Sequence, residues 1–160
     1  MDDITDPSPD SVPESGSGPD RDPDTRPAPQ IWPGLRYRDA PAALGYLTEV
    51  LGFRLVAAYR SAADDTVVEH AQLAWPEGGG IMMGSHRDSP EWPAQPGTGT
   101  NYVVTDRAAE IFERVRRAPG FEVLKELAVD PYDAGGGSSF GLRDPEGNLW
   151  SFGTYRGEPG

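Results

Sequence analysis

"RDAPAALGYLTEVLGF", residues 38–53, and "TDRAAEIFERVRRAPGF", residues 105–121, decide the fold because they are two statements of one pattern. Each runs from a strand-ending Asp through an Ala-rich amphipathic helix to a Gly-Phe or Pro-Gly-Phe that opens the next strand. The two differ by one residue in length. In the first copy Asp39 stands at the N-cap, Leu44, Leu47, Val50 and Leu51 share a face, and Gly52 takes the C-cap position. In the second, Asp106 is the expected cap, and Ala108, Ile111, Phe112 and Val115 point inward.

Outward from these helices the order also repeats. "IWPGLRYRD" reads as a strand before the first helix, and "FRLVAAYR", "TVVEHAQLAW" and "GGGIMMGS" as three strands after it. "TNYVVTD" precedes the second helix, and "FEVLKELAVD", "SSFGLRD" and "NLWSFGTY" follow it. Self-similarity at this scale means two copies of a unit too small to bury its sheet alone. The expected fold is α+β: two tandem βαβββ modules, about 31–85 and 99–155, forming a curled mixed β-sheet around a concave cavity within a single domain, 30–160.

Residues 1–29 read differently. The first 30 residues hold 7 of the chain's 17 prolines and eight acidic residues against Arg21 and Arg26. With only Met1, Ile4 and Val12 to bury, the sequence predicts a disordered acidic tail. Formal net charge over all 160 residues is -12, which argues against phosphate-held partners, so neither nucleic acid nor an anionic membrane is expected. The chain has no cysteine, which excludes disulfides, zinc-thiolate sites and thiol nucleophiles. No apolar run approaches a bilayer span, and the acidic start lacks the features of a secretion signal, so a cytoplasmic location is expected.

The strand–Asp–helix–Leu-Gly-Phe opening at 35–53 and the Asp-Pro-x-Gly-Asn turn of "DPEGNLWSF", residues 144–152, resemble the vicinal oxygen chelate superfamily, the glyoxalase, bleomycin-resistance and dioxygenase group. The likeness covers about 31–155. Metal-dependent members draw four ligands from equivalent strands. Carried onto this chain, those positions fall on Trp32, Thr100 and Ser151, with His70 alone retaining a coordinating group. One His cannot hold a catalytic divalent ion, so the resemblance implies a metal-free branch with no cofactor.

Strand alternation then places Gly34, Arg36, Val68, His70, Gln72, Tyr102, Val104, Leu149, Gly153 and Tyr155 on the concave side with Trp32, Thr100 and Ser151, and Leu35, Tyr37, Val103, Trp150 and Phe152 in the core. Trp32 reads either as a stacking platform for a flat ligand or as a plug filling the space of a lost metal site. His70 reads as a hydrogen-bonding group or general base, or as a histidine tied to Gln72 or a backbone carbonyl. Arg36 calls for an anionic partner, an internal acid being favoured over a ligand carboxylate or phosphate. The Pro-rich linker 85–99 reads as a hinge, with Trp92 a candidate wall of the pocket. The Gly-rich stretch 134–139 reads as a loop at the cavity mouth.

Three functions stay open: a metal-free small-molecule binder that sequesters an antibiotic or another flat aromatic or peptidic metabolite; a lyase, isomerase or dioxygenase-like enzyme, with His70 and Tyr102 as proton-transfer groups if it uses no metal; and an interaction or regulatory module. The first is favoured. A homodimer is what the resemblance implies.

Overall fold

The computed structural model describes residues 31–158, so the expectation for the acidic tail lies outside the described residues. Strand β1 (Gly34–Tyr37) leads into α1 (Ala40–Tyr46), which continues as a π-helical turn over Leu47–Leu51. Strands β2 (Arg54–Arg60), β3 (Val68–Ala74) and β4 (Gly80–Ser85) complete the first module. The second repeats it as β5 (Thr100–Val104), α2 (Ala108–Val115), β6 (Glu122–Val129), β7 (Ser138–Arg143) and β8 (Leu149–Gly153). The two four-stranded mixed sheets have the orders β1-β4-β3-β2 and β5-β8-β7-β6, and they do not close into a barrel. Parallel pairing of β1 with β4, and of β5 with β8, is what a helical crossover after the first strand produces. No helix among the described residues is long and apolar enough to cross a membrane.

Helix periodicity delivers the core as expected. Leu44, Leu47 and Leu51 from the first helical segment and Ala108, Ile111, Phe112 and Val115 from the second are buried, together with Leu35, Tyr37, Val103, Trp150 and Phe152. These belong to one core that both modules share. Phe53 meets Trp150 edge-on at 5.7 Å, Tyr46 meets Phe121 at 5.5 Å, and Trp75 lies 5.9 Å from Phe152. Neither module has a complete core without the other.

The seam is stitched by a reciprocal device. "WPEGG" at 75–79 and "DPEGN" at 144–148 form turns with matching hydrogen bonds: Trp75 N–H donates to Gly79 O (3.0 Å) as Asp144 N–H does to Asn148 O (2.9 Å). Each turn presents its glutamate to the other module's helix entrance. Glu146 accepts from the backbone N–H groups of Arg38 (2.6 Å) and Asp39 (2.8 Å). Glu77 accepts from the Thr105 hydroxyl (2.5 Å) and the Asp106 N–H (2.9 Å). Carboxylates near helix N-termini satisfy donors that the helix itself cannot and meet the positive end of its dipole.

Two sequence expectations are corrected here. Asp39 does cap α1, its Oδ1 accepting from Ala42 N–H at 3.0 Å, but Asp106 does not cap α2. There the Thr105 hydroxyl accepts from Arg107 N–H (3.0 Å), while the Asp106 carboxylate binds Arg156 (3.0 Å). Val68 is fully buried in the core instead of lying on the concave side. Tyr59 pairs with His70 and Arg60 with Val68, which leaves Glu69 unpaired in a bulge. The extra residue resets the alternation for everything before it.

Candidate functional site

The open face of the first module is built from the β1–β4 pair. Gly34 stands opposite Met82 and Arg36 opposite Gly84, so large and small residues alternate across the two strands. Gly84 leaves the space that the Arg36 side chain crosses: a Cβ there would lie 2.8 Å from Arg36 Nη1 and 2.9 Å from the backbone oxygen of Glu69. Gly80 does the same for Trp32, whose ring would stand 2.5 Å from an added Cβ. Trp32 therefore covers the β4 strand and lines none of the cavities described below.

A cavity of about 530 Å³ opens on this face, lined by Arg36, His70, Met82, Arg87, Trp92 and Ala94 with Gly34 and Glu69. It brings together three residues singled out from sequence, Arg36, His70 and Trp92, from two strands and the linker. The His70 ring is exposed and stacks on Tyr59 at 6.2 Å, its cross-strand partner, and among the described residues it makes no hydrogen bond to Gln72 or to a backbone carbonyl. The expected internal salt bridge of Arg36 is absent among the described residues. Instead, partial burial and the nearby Arg87 guanidinium both hold the Arg36 pKa below its ordinary value.

Thr100 and Tyr102 border a different cavity, about 370 Å³, at the seam between modules, with Ile31, Pro33, Asn101 and Trp75 among its walls. Tyr102 is half-exposed, and burial, followed by the charge of Asp130, raises its pKa. The buried Asn101 Nδ2 has no hydrogen-bond partner among the described residues. Ser151 pairs with Tyr102 across β5–β8 and is exposed; neither it nor Gln72 lines either cavity. The Gly-rich loop lies apart again, bordering a third cavity with Asp133, Tyr155 and Arg156.

The "DPEGNLWSF" stretch proves structural. Asp144, buried at the seam, accepts five hydrogen bonds: Oδ1 from the N–H groups of Glu146 (3.0 Å) and Asn148 (2.9 Å), and Oδ2 from the Tyr37 hydroxyl (3.2 Å), Asn148 Nδ2 (3.1 Å) and the Trp150 indole (3.1 Å). Its lone pairs are committed to protein donors. Among the described residues no three His, Asp or Glu side chains stand close enough to share a metal ion. The ligand set of the metal-dependent enzymes does not fit this chain, and no reaction step is routed through a metal here.

Sequence reasoning missed Arg87, Met82 and Tyr59 as site residues, and Glu77 and Glu146 as cross-module caps. The signal for the caps was the repeated Pro-Glu-Gly at 76–78 and 145–147. For Arg87 it was the cation five residues before Trp92 in a linker otherwise rich in Pro and acid.

The family model described as the Glyoxalase/Bleomycin resistance protein/Dioxygenase superfamily matches residues 31–152. Among solved structures, TioX from Micromonospora sp. ML1 is 26% identical, with a TM-score of 0.62 and 79% of this chain and 98% of that one covered. A glyoxalase/bleomycin resistance protein from Streptomyces sp. CB03234 is 21% identical over 74% of this chain and 94% of its own, with a TM-score of 0.54. The fosfomycin resistance protein FosX of Listeria monocytogenes, solved with Mn(II), has the same fold at 11% identity, a TM-score of 0.52 and coverage of 81% and 94%. No curated protein matches the chain significantly.

Proposed function

The chain belongs to the glyoxalase/bleomycin resistance protein/dioxygenase superfamily, and from that premise we propose that it is a metal-free small-molecule-binding protein whose ligand is a flat aromatic or peptidic metabolite. The observation that carries this reading is the cavity on the first module, where Trp92, His70 and Arg36 converge around Met82. Such a site offers apolar area for a planar ring and a few polar groups for orientation. The donor set supports the metal-free part of the reading, because no three possible ligands come together among the described residues and the resemblance puts Trp32, Thr100 and Ser151 at the ligand positions of the metal enzymes. His70 and Tyr102 border different cavities, which weighs against their acting together in proton transfer. Sequestration, including that of an antibiotic, is the simplest use of such a pocket.

The proposed assembly is a homodimer. Leu55, Val56 and Tyr59 on β2 and Leu124 and Val129 on β6 are exposed in the single chain, and a second copy of equal surface character can cover them.

Native mass spectrometry of protein purified from its host tests both statements. The expected spectrum is a dimer carrying a co-purified organic molecule and no stoichiometric metal. About one zinc, nickel, iron or manganese per chain, lost on His70→Ala, would overturn the reading, and a monomer would overturn the assembly.

A further inference from the structure

We infer that the ligand of the first-module cavity is an anion: a planar molecule carrying an oxyanion, carboxylate or phosphate, held between Arg36 and Arg87. The inference rests on the binding reading above and specifies its ligand class.

The chain has 14 basic against 26 acidic residues, and its arginines generally find carboxylates. Arg38 sits against Glu146, Arg114 against Glu110, Arg143 against Glu122 and Arg156 against Asp106. Among the described residues four arginines make no ion pair, Arg36, Arg54, Arg60 and Arg87, and of these Arg36 and Arg87 line one cavity. Glu69 borders the same cavity, yet it does not pair with either of them.

The arrangement is also held in place. Arg36 lies on a strand, where its course over Gly84 is fixed by a gap that no other residue would leave. A guanidinium partly removed from water beside a second guanidinium, with no carboxylate paired to either among the described residues, is electrostatically unfavourable. An oxyanion placed between the two would relieve that repulsion and accept paired N–H donors, the geometry that guanidinium matches best. Trp92 and Met82 then contact the ring, so the two halves of the ligand are read by different walls.

The test uses three probes of one shape, 2-naphthoate, 2-naphthyl phosphate and 2-naphthamide, titrated into the full chain and followed by tryptophan fluorescence and calorimetry. At least one anion is expected to bind about tenfold or more tightly than the amide. Whichever anion wins identifies the oxyanion. Arg36→Gln and Arg87→Gln should each bring the ratio of anion to amide affinity close to one. Equal binding of all three probes, or a preference that survives both substitutions, would overturn the inference while leaving the pocket as a binding site. Failure of all three to bind would also overturn it, whereas the co-purified molecule sought above judges the binding reading independently. A neutral co-purified ligand would sink the inference and keep that reading.

Discussion

The two modules share a backbone plan and differ in what they place on it. In the first, the β1–β4 face alternates side chain and gap, with Gly34 beside Met82 and Arg36 beside Gly84, and it opens into a cavity with two arginines. The corresponding β5–β8 face of the second sets Thr100 beside Leu149, Tyr102 beside Ser151 and Val104 beside Gly153. Around Gly153 the polar groups are closed on one another: an added Cβ would stand 2.7 Å from the Tyr102 hydroxyl and 2.8 Å from Ser139 Cβ, and Lys125 Nζ donates to Ser139 Oγ at 3.1 Å. The first face leaves Arg36 and Arg87 without a carboxylate partner among the described residues, whereas the groups around Gly153 pack on one another. Duplication supplies two equivalent faces, and the proposed ligand site lies on the one with the two unpaired arginines.

The seam turns offer the sharpest way to break this comparison. Asp144 and Trp75 occupy equivalent turn positions, yet Asp144 serves five donors while Trp75 makes one cross-module bond, from its indole to Val104 O at 3.0 Å. Asp144→Ala leaves buried donors unpaired and should cost about 3–5 kcal/mol in chemical denaturation. A loss under about 1 kcal/mol would mean that water replaces the carboxylate and that the second turn is no more demanding than a surface loop.

Gly84→Ala and Gly153→Ala compare the two faces directly. Both introduce a methyl where neighbours already stand, and each should destabilise by about 1–3 kcal/mol. Only Gly84→Ala should also weaken 2-naphthoate binding, because it displaces Arg36. If Gly153→Ala weakened binding equally, the second face would belong to the site.

Glu77→Ala and Glu146→Ala test the symmetry of the caps. Each should cost about 1–2 kcal/mol, and the two values should agree closely, since each removes two acceptor contacts at a helix entrance. A large effect from one alone would show that the modules lean on each other unequally. The smallest expected effect is that of metal removal: dialysis against a chelator should leave the melting temperature unchanged. A fall of several degrees would point to a metal site outside the described side chains.

How far the sequence reached can be read from particular residues. Burial of Leu44, Leu47 and Leu51, and of Ile111, Phe112 and Val115, followed from helical spacing alone, because a periodic pattern is local and survives any tertiary arrangement. Leu35, Tyr37, Val103, Trp150 and Phe152 followed from alternation once the family resemblance had chosen which face is concave. Val68 did not, since counting by twos assumes an unbroken ladder and the bulge at Glu69 breaks it. The site was partly legible. Arg36 and His70 could be assigned to one face, but that Arg87 and Trp92 join them depends on how the linker returns across the sheet, which no periodicity records. The cap of α2 was invisible to local reasoning, because Glu77 reaches Thr105 across 28 positions of sequence.

The exchange of glutamates between Pro-Glu-Gly turns makes each half the folding template of the other. A chain severed in the linker between β4 and β5 would therefore behave as a pair of complementing fragments. Each alone would carry a helix entrance without its acidic cap and a core without its second wall, and order would return on mixing. The linker needs only to keep the halves at high local concentration, which frees its own side chains, Arg87 and Trp92 among them, to serve the cavity.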